Sequence, residues 1–308
     1  LPFFGKRAAG PSDEEVQAAA VDLDRIAHGG IPLGAEQRLT RVGASPAPVF
    51  SSDLSSKEYA VGQVTGLTPL AQVMGSSVVQ HGWQNYGWSS YGGGMSEMTS
   101  FAAPWNLSRE RSFGRLRQEA QFAAADAVVG IEMKAGAFMG ESGNVEYAVF
   151  GTAVRDTGVR RGDRTTPRLC TLSGQDVYKL RRIGAETLDV IGHTSVVSVA
   201  LSPWANQQMG TWWGNAEMEE VTQAVYTARR LAMSEVTRQA HMAGANEMVI
   251  SDLQHTIHHH EYERGAGYGR QHIFIVAMHV LGTAIALGAH EPHPTPLGVP
   301  VISINLGA

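Results

Sequence analysis

A single cysteine, Cys170, in 308 residues excludes an intrachain disulfide and the paired-cysteine spacings of structural zinc sites. One thiol fits a reducing compartment. Charge is sparse as well: 17% of residues are charged, the net charge is −5, and there is no run of Lys or Arg. Nucleic acid and anionic membrane therefore drop out as expected partners. Long apolar runs are also missing. The most apolar stretch, 273–289, is broken by His279, Thr283 and two glycines and is too short to span a bilayer, so it reads as a buried strand and no membrane insertion is expected. The start, Leu1 to Arg7, has no apolar core of signal-peptide length, and the expected location is the cytoplasm.

The sequence instead contains a repeat. Leu54-Ser55, Gly66 and Val78-Val79 return as Leu172-Ser173, Gly184 and Val196-Val197 at an offset of 118. Arg109, Ala120, Ala125 and Val129 return as Arg229, Ala240, Ala245 and Val249 at an offset of 120, and Gly151-Thr152-Ala153 as Gly282-Thr283-Ala284 at 131. The offset changes only between elements, where loops absorb insertions. At 43% hydrophobic, the chain can bury two modest cores of about a hundred residues each.

Local signals divide the chain further. Ser12-x-x-Glu15 is a capping box opening a helix that stops at Gly29-Gly30, and Pro32 begins a second helical piece. These form an arm over 1–50. Each repeat then opens with a capped short helix, Ser55-x-x-Glu58 to Gly66 and Ser173-x-x-Asp176 to Gly184. A strand follows over 70–79 or 188–201, then a Gly- and aromatic-rich loop and a long helix. Val221, Val225, Ala228, Ala232, Val236, Ala240 and Ala243 give the second helix an apolar stripe, and Phe113, Leu116 and Ala120 continue it in the first; Pro104 should start or kink that helix. Strands from Ala127 or Met248 return as hairpins over 145–154 or 273–285. The fold class is α+β: two tandem β-α-β-β domains, 51–157 and 169–287, joined by a linker over 158–168. The tail, 288–308, is Pro-rich, and its end, 301–306, is expected to add as a strand to an open sheet edge.

The stretch Leu54-Ser55-Ser56-Lys57-Glu58, then Val73-Met74-Gly75-Ser76-Ser77, Ala125-Asp126-Ala127-Val128-Val129-Gly130-Ile131 and Phe150-Gly151-Thr152-Ala153-Val154 resembles the YbjQ-like family, named for heavy-metal binding. The resemblance extends to both copies, although the second reads Asn246-Glu247-Met248-Val249-Ile250-Ser251 where the first has Asp126 to Ile131. It implies a dodecin-like subunit assembling into a pentameric ring, and no catalytic residue. A three-stranded sheet with one helix leaves edges and a face uncovered, so a homo-oligomer is expected on physical grounds as well.

The copies differ most in their hairpins. The second is eleven residues longer and carries His255, His258, His259, His260, Glu261, Glu263 and His272, with His279 further on. With the turn centred on Gly265 to Gly269, alternation places His258, His260 and His272 on one face and His255, His259, Glu261 and His279 on the other. Imidazoles and carboxylate at this spacing suit zinc, nickel or copper. A solvated or subunit-packing surface is the competing reading. Trp83, Tyr86, Trp88 and Tyr91, with Trp204, Trp212 and Trp213 in the second copy, could stack on flavin or another flat ligand, or pack at a subunit interface.

Enzyme signatures fail. Pro292 spoils the helix that a zincin reading of His290-Glu291-Pro292-His293 needs, and Gly265 to Gly269 reads as a turn rather than a dinucleotide loop. Cys170 precedes a helix cap, which could lower its pKa, but no histidine partner is apparent. His28, His81, His193 and His241 read as packed or surface residues. The expected function is a non-enzymatic, cytoplasmic oligomer binding divalent metal through the second hairpin; the alternative is a purely structural ring or shell-like scaffold.

Overall fold

A computed structural model describes residues 12–45, 66–80, 94–138, 144–157, 166–209, 217–263 and 270–289. The described chain is α+β. The two helices expected first are present, α1 (Asp13–Ala27) and α2 (Leu33–Ala44). Ser12 and Glu15 close the capping box, and α1 ends at Gly29, whose φ is +82°. Leu39 of α2 is buried, and Arg115 donates to the carbonyls of Ile26 and Gly30, tying the arm to the body.

Two four-stranded sheets follow. The first holds β1 (Leu67–Gln80), β3 (Ala127–Phe138), β4 (Asn144–Asp156) and β5 (Arg168–Leu169), in the order β1-β4-β3-β5. The second holds β2 (Gly94–Glu97), β6 (Ala185–Ala200), β7 (Glu247–Glu263) and β8 (Arg270–Leu287), in the order β2-β6-β8-β7. Helix α3 (Thr99–Phe122) packs on β1 and β4 and also touches β6. Helix α4 (Gly174–Arg182) is capped by Ser173 as expected, short α5 (Pro203–Gln208) follows β6, and α6 (Glu219–Met242) packs on β6 and β8. Among the described residues no helix is long and apolar enough to cross a membrane.

The correspondence between halves reaches fine detail. Helices α3 and α6 each have 24 residues and start after a methionine, Met98 or Met218. Register shifts fall between Pro69 and Ala71 in β1 and between Thr187 and Asp189 in β6. Shifts between Val129 and Glu132 in β3 and between Ile250 and Asp252 in β7 match likewise. Gly66 and Gly184 share a φ of +78°, a conformation that a side chain would strain. Met74 N donates to Glu119 of α3, as Gly192 N donates to Gln239 of α6.

Two expectations need correction, and a third is narrowed. Each sheet has a fourth strand, and it comes from across the chain: β2 precedes α3 yet pairs with β6, and β5 precedes α4 yet pairs in parallel with β3. Of the two places expected for Pro104, the start of α3 is excluded, since it lies within the helix. The cores are not separate, because Val196, Ile275, Ala277 and Leu281 join one apolar cluster with Val73, Leu116 and Val149 of the first half. The expected cap at Ser55, the turn at Gly265 to Gly269 and the tail strand lie outside the described residues.

Candidate functional site

The β7–β8 hairpin decides which histidines meet. Its register pairs Glu261 with His272, His259 with Phe274 and His255 with Met278. The hairpin therefore centres half a residue earlier than the expected turn, and parity reverses on the returning strand: a one-residue slip moves every side chain to the other face. His255, His259, Glu261 and His272 share the face whose inner part, Phe274, Val276 and Met278, packs under α6. His258 and His260 lie on the opposite face, paired with Ile275 and Ile273. The grouping of His258 with His260 and His272 is thus corrected.

His279 leaves the cluster altogether. It is 2% exposed, its Nδ1 lies 2.9 Å from the Thr194 hydroxyl, and its ring meets Trp105 edge-on at 4.6 Å. Burial first, and the positive charge of Arg109 second, push its pKa down to about 4. It is a neutral core histidine.

What converges is His259, Glu261 and His272, one ligand atom from each lying within 4.8 Å of the others. His259 Nε2 is 2.8 Å from His272 Nδ1, and that nitrogen is 3.9 Å from Glu261 Oε1. His259 is held flat between His272 and Phe274, with centroids 5.0 and 4.6 Å away. Two imidazole nitrogens and a carboxylate oxygen are the donor set of a borderline divalent ion with an open position. Tetrahedral ligands about 2 Å from a metal sit roughly 3.3 Å apart, so a modest opening of the His259–His272 hydrogen bond would admit one. Arg270 donates to the other oxygen of the Glu261 carboxylate, Oε2, at 3.2 Å and competes for its charge. His260 has its pKa lowered by burial and then by the neighbouring His258 and His259.

Thiolate chemistry does not fit. Cys170 is buried with Leu67, Val129, Val154 and Val177, and burial pushes its pKa up to about 11, opposite to the lowering expected from its place before a cap. Of the aromatic residues considered for a flat ligand, Trp204 is 70% exposed on α5, while Trp83, Tyr86, Trp88, Tyr91, Trp212 and Trp213 lie outside the described residues, as does His81. His28 and His241 are exposed at helix ends, and His193 is half-buried on β6.

Edges and faces are the other candidate. Glu119, Arg115 and Ser108 of α3 bond Met74 N, Ser76 O and Ser77 O of β1, fixing the helix on that strand. Strand β7 ends the second sheet, pairs with β8 alone among the described residues, and exposes Val249, Leu253 and Ile257. Periodicity gave no sign of these surfaces, since a strand reads the same whether its face is covered by its own chain or another.

The YbjQ family, described as "Putative heavy-metal-binding", matches residues 54–157. No solved structure matches the chain. The "Encapsulin nanocompartment protein Rv1762c" of Mycobacterium tuberculosis is 33% identical over 223 residues, covering 70% of this chain and 80% of that protein. Identity at that level, over a span reaching well beyond the 54–157 segment, places the chain in the family of this nanocompartment protein.

Proposed function

We propose that the chain is a non-enzymatic, self-assembling structural protein built from two fused copies of one β-α-β-β unit, 51–157 and 169–287, and that the contact joining the copies within a chain is repeated between chains. Equivalent positions that are buried at one copy and bare at the other carry this reading. Val196, on the face of β6 that joins the first half's core, is 2% exposed; its counterpart Val78 is 62% exposed. Asn106 of α3 holds the edge of β6 through two hydrogen bonds to Thr194, at 2.9 and 3.0 Å; its counterpart on α6, Tyr226, is 65% exposed. Met74, matching buried Gly192, is 45% exposed.

Among the described residues, the chain thus carries an α3-type face on α6 with nothing beneath it, and a β6-type face on β1 with nothing above it. Such head-to-tail surfaces form a ring when the rotation closes. Five chains presenting ten units is the order we propose, in the cytoplasm. The name of the Mycobacterium tuberculosis relative, a nanocompartment protein, supports assembly as the function.

Native mass spectrometry tests it. The wild type is expected as a closed oligomer at micromolar concentration. Val78→Lys and Tyr226→Lys are each expected to give folded monomer, because both positions are exposed in the single chain and replacing them should leave its core intact. A monomeric wild type, or two variants that keep the wild-type mass, removes the proposal; another closed ring order changes only the number five.

A second reading, metal binding, is favoured by the convergence of His259, Glu261 and His272 and by the family description. On this reading zinc, nickel or copper binds these three residues, with His255 further along the same face. His258 and His260 would take no part.

A further inference from the structure

Helix α3 carries Arg109, Arg111, Arg115 and Arg117 in a chain with more acidic than basic residues, 29 against 24. Three of them, Arg109, Arg111 and Arg117, line a cavity of about 620 Å³ between α3, the edge of β6 at 189–192 and Gln239 of α6. That is the size of a small-molecule site. Two carboxylates, Glu110 and Asp189, face the same space, and Asp189 is committed: both its oxygens accept from Arg117 Nη2, at 2.8 and 2.7 Å.

These guanidiniums have further donors that the described residues do not use. Arg117 Nε is buried with no hydrogen-bond partner among the described residues. Arg109 crosses Gly192, and Asn106 Oδ1 is its one acceptor among the described residues. Arg111 has none there. Its charge is felt nearby: Arg115 has its pKa lowered by burial and then by repulsion from Arg111. A guanidinium offers five donors in a fork that matches oxyanions, and one bound acceptor leaves most of that fork free for another.

Gly114 points to the same space from another direction. It sits mid-helix and lines the cavity, and a Cβ added there would meet nothing within 4 Å. Packing does not require a glycine here, yet one costs the helix about 1 kcal/mol relative to alanine. A bare backbone wall gives a ligand close approach.

We propose that this cavity binds a small organic anion through a phosphate or carboxylate group, held by Arg109 and Arg111 and lying against Gly114. Calorimetric titration of the full chain with inorganic phosphate and separately with citrate, at constant ionic strength, tests it. Saturable binding at one site per chain is expected with at least one of the two; which anion binds identifies the group recognised. Arg111→Gln should weaken it roughly tenfold, the scale of one charge-assisted hydrogen bond. Gly114→Leu should abolish it by filling the cavity. If Gly114→Leu fails to fold, Arg111→Gln, at an exposed position, decides alone. No saturable heat with either anion, or equal affinity in wild type and Arg111→Gln, overturns the proposal.

Discussion

His279 is a residue whose environment, rather than its neighbours in sequence, sets its chemistry. In the chain it follows a histidine-rich run and reads as one more ligand. In the fold it is enclosed by Trp105 and Thr194, and its pKa falls to about 4 from 6.5, with burial the larger cause and Arg109 the second. The folded state therefore refuses a proton that the unfolded state accepts. Above pH 6.5 this has no effect; as pH falls from about 6.5 to 4 the unfolded state binds more protons and stability is lost, by about 3 kcal/mol at the lower end. Half-buried His193 shifts in the same direction, also to about 4, through burial and then Arg109, and adds to the acid sensitivity. His279→Gln, which keeps a hydrogen-bonding group for Thr194, should flatten the decline of melting temperature between pH 6.5 and 4.5. A variant that loses as much stability on acidification as the wild type would show that His279 is not the residue responsible.

At the scale of the element, the long hairpin shows how far a sequence pattern carries. Periodicity identified β7 and β8, the apolar stripe of α6 and the caps at Ser12 and Ser173, because each is a repeated or local signal. It could not identify which histidines meet, since that depends on a turn whose centre shifts by half a residue when the pairing slips by one. Nor could it find β2 and β5, which at four and two residues are too short to show a period. The corrected register makes a sharp test of metal binding. Zinc or nickel titrated into the wild type should bind with micromolar or better affinity, and His259→Ala with His272→Ala should abolish uptake, because removing chelating ligands removes most of the affinity. His258→Ala with His260→Ala, on the other face, should bind as the wild type does. If that second pair loses the metal, or if all three proteins bind equally, the site is not the one formed by His259, Glu261 and His272.

For the whole molecule, the core shared by the two halves of the chain matters most. Val196, Ile275, Ala277 and Leu281 from the second half pack with Val73, Leu116 and Val149 from the first, and Asn106 and Arg117 reach from α3 to Thr194 and Asp189 on β6. Each sheet also takes a strand from beyond its own unit. Contacts of this density across a boundary couple the halves, so they should unfold together rather than in sequence. Leu281→Ala, at a position 1% exposed in the shared cluster, should cost about 2–5 kcal/mol. Hydrogen exchange should then quicken in β1 of the first sheet as much as in β8, the strand that carries the substitution, with one melting transition for the chain. Loss of protection confined to β6, β7 and β8 would instead mean that the first sheet is stable on its own, and that the two halves dock after each has formed.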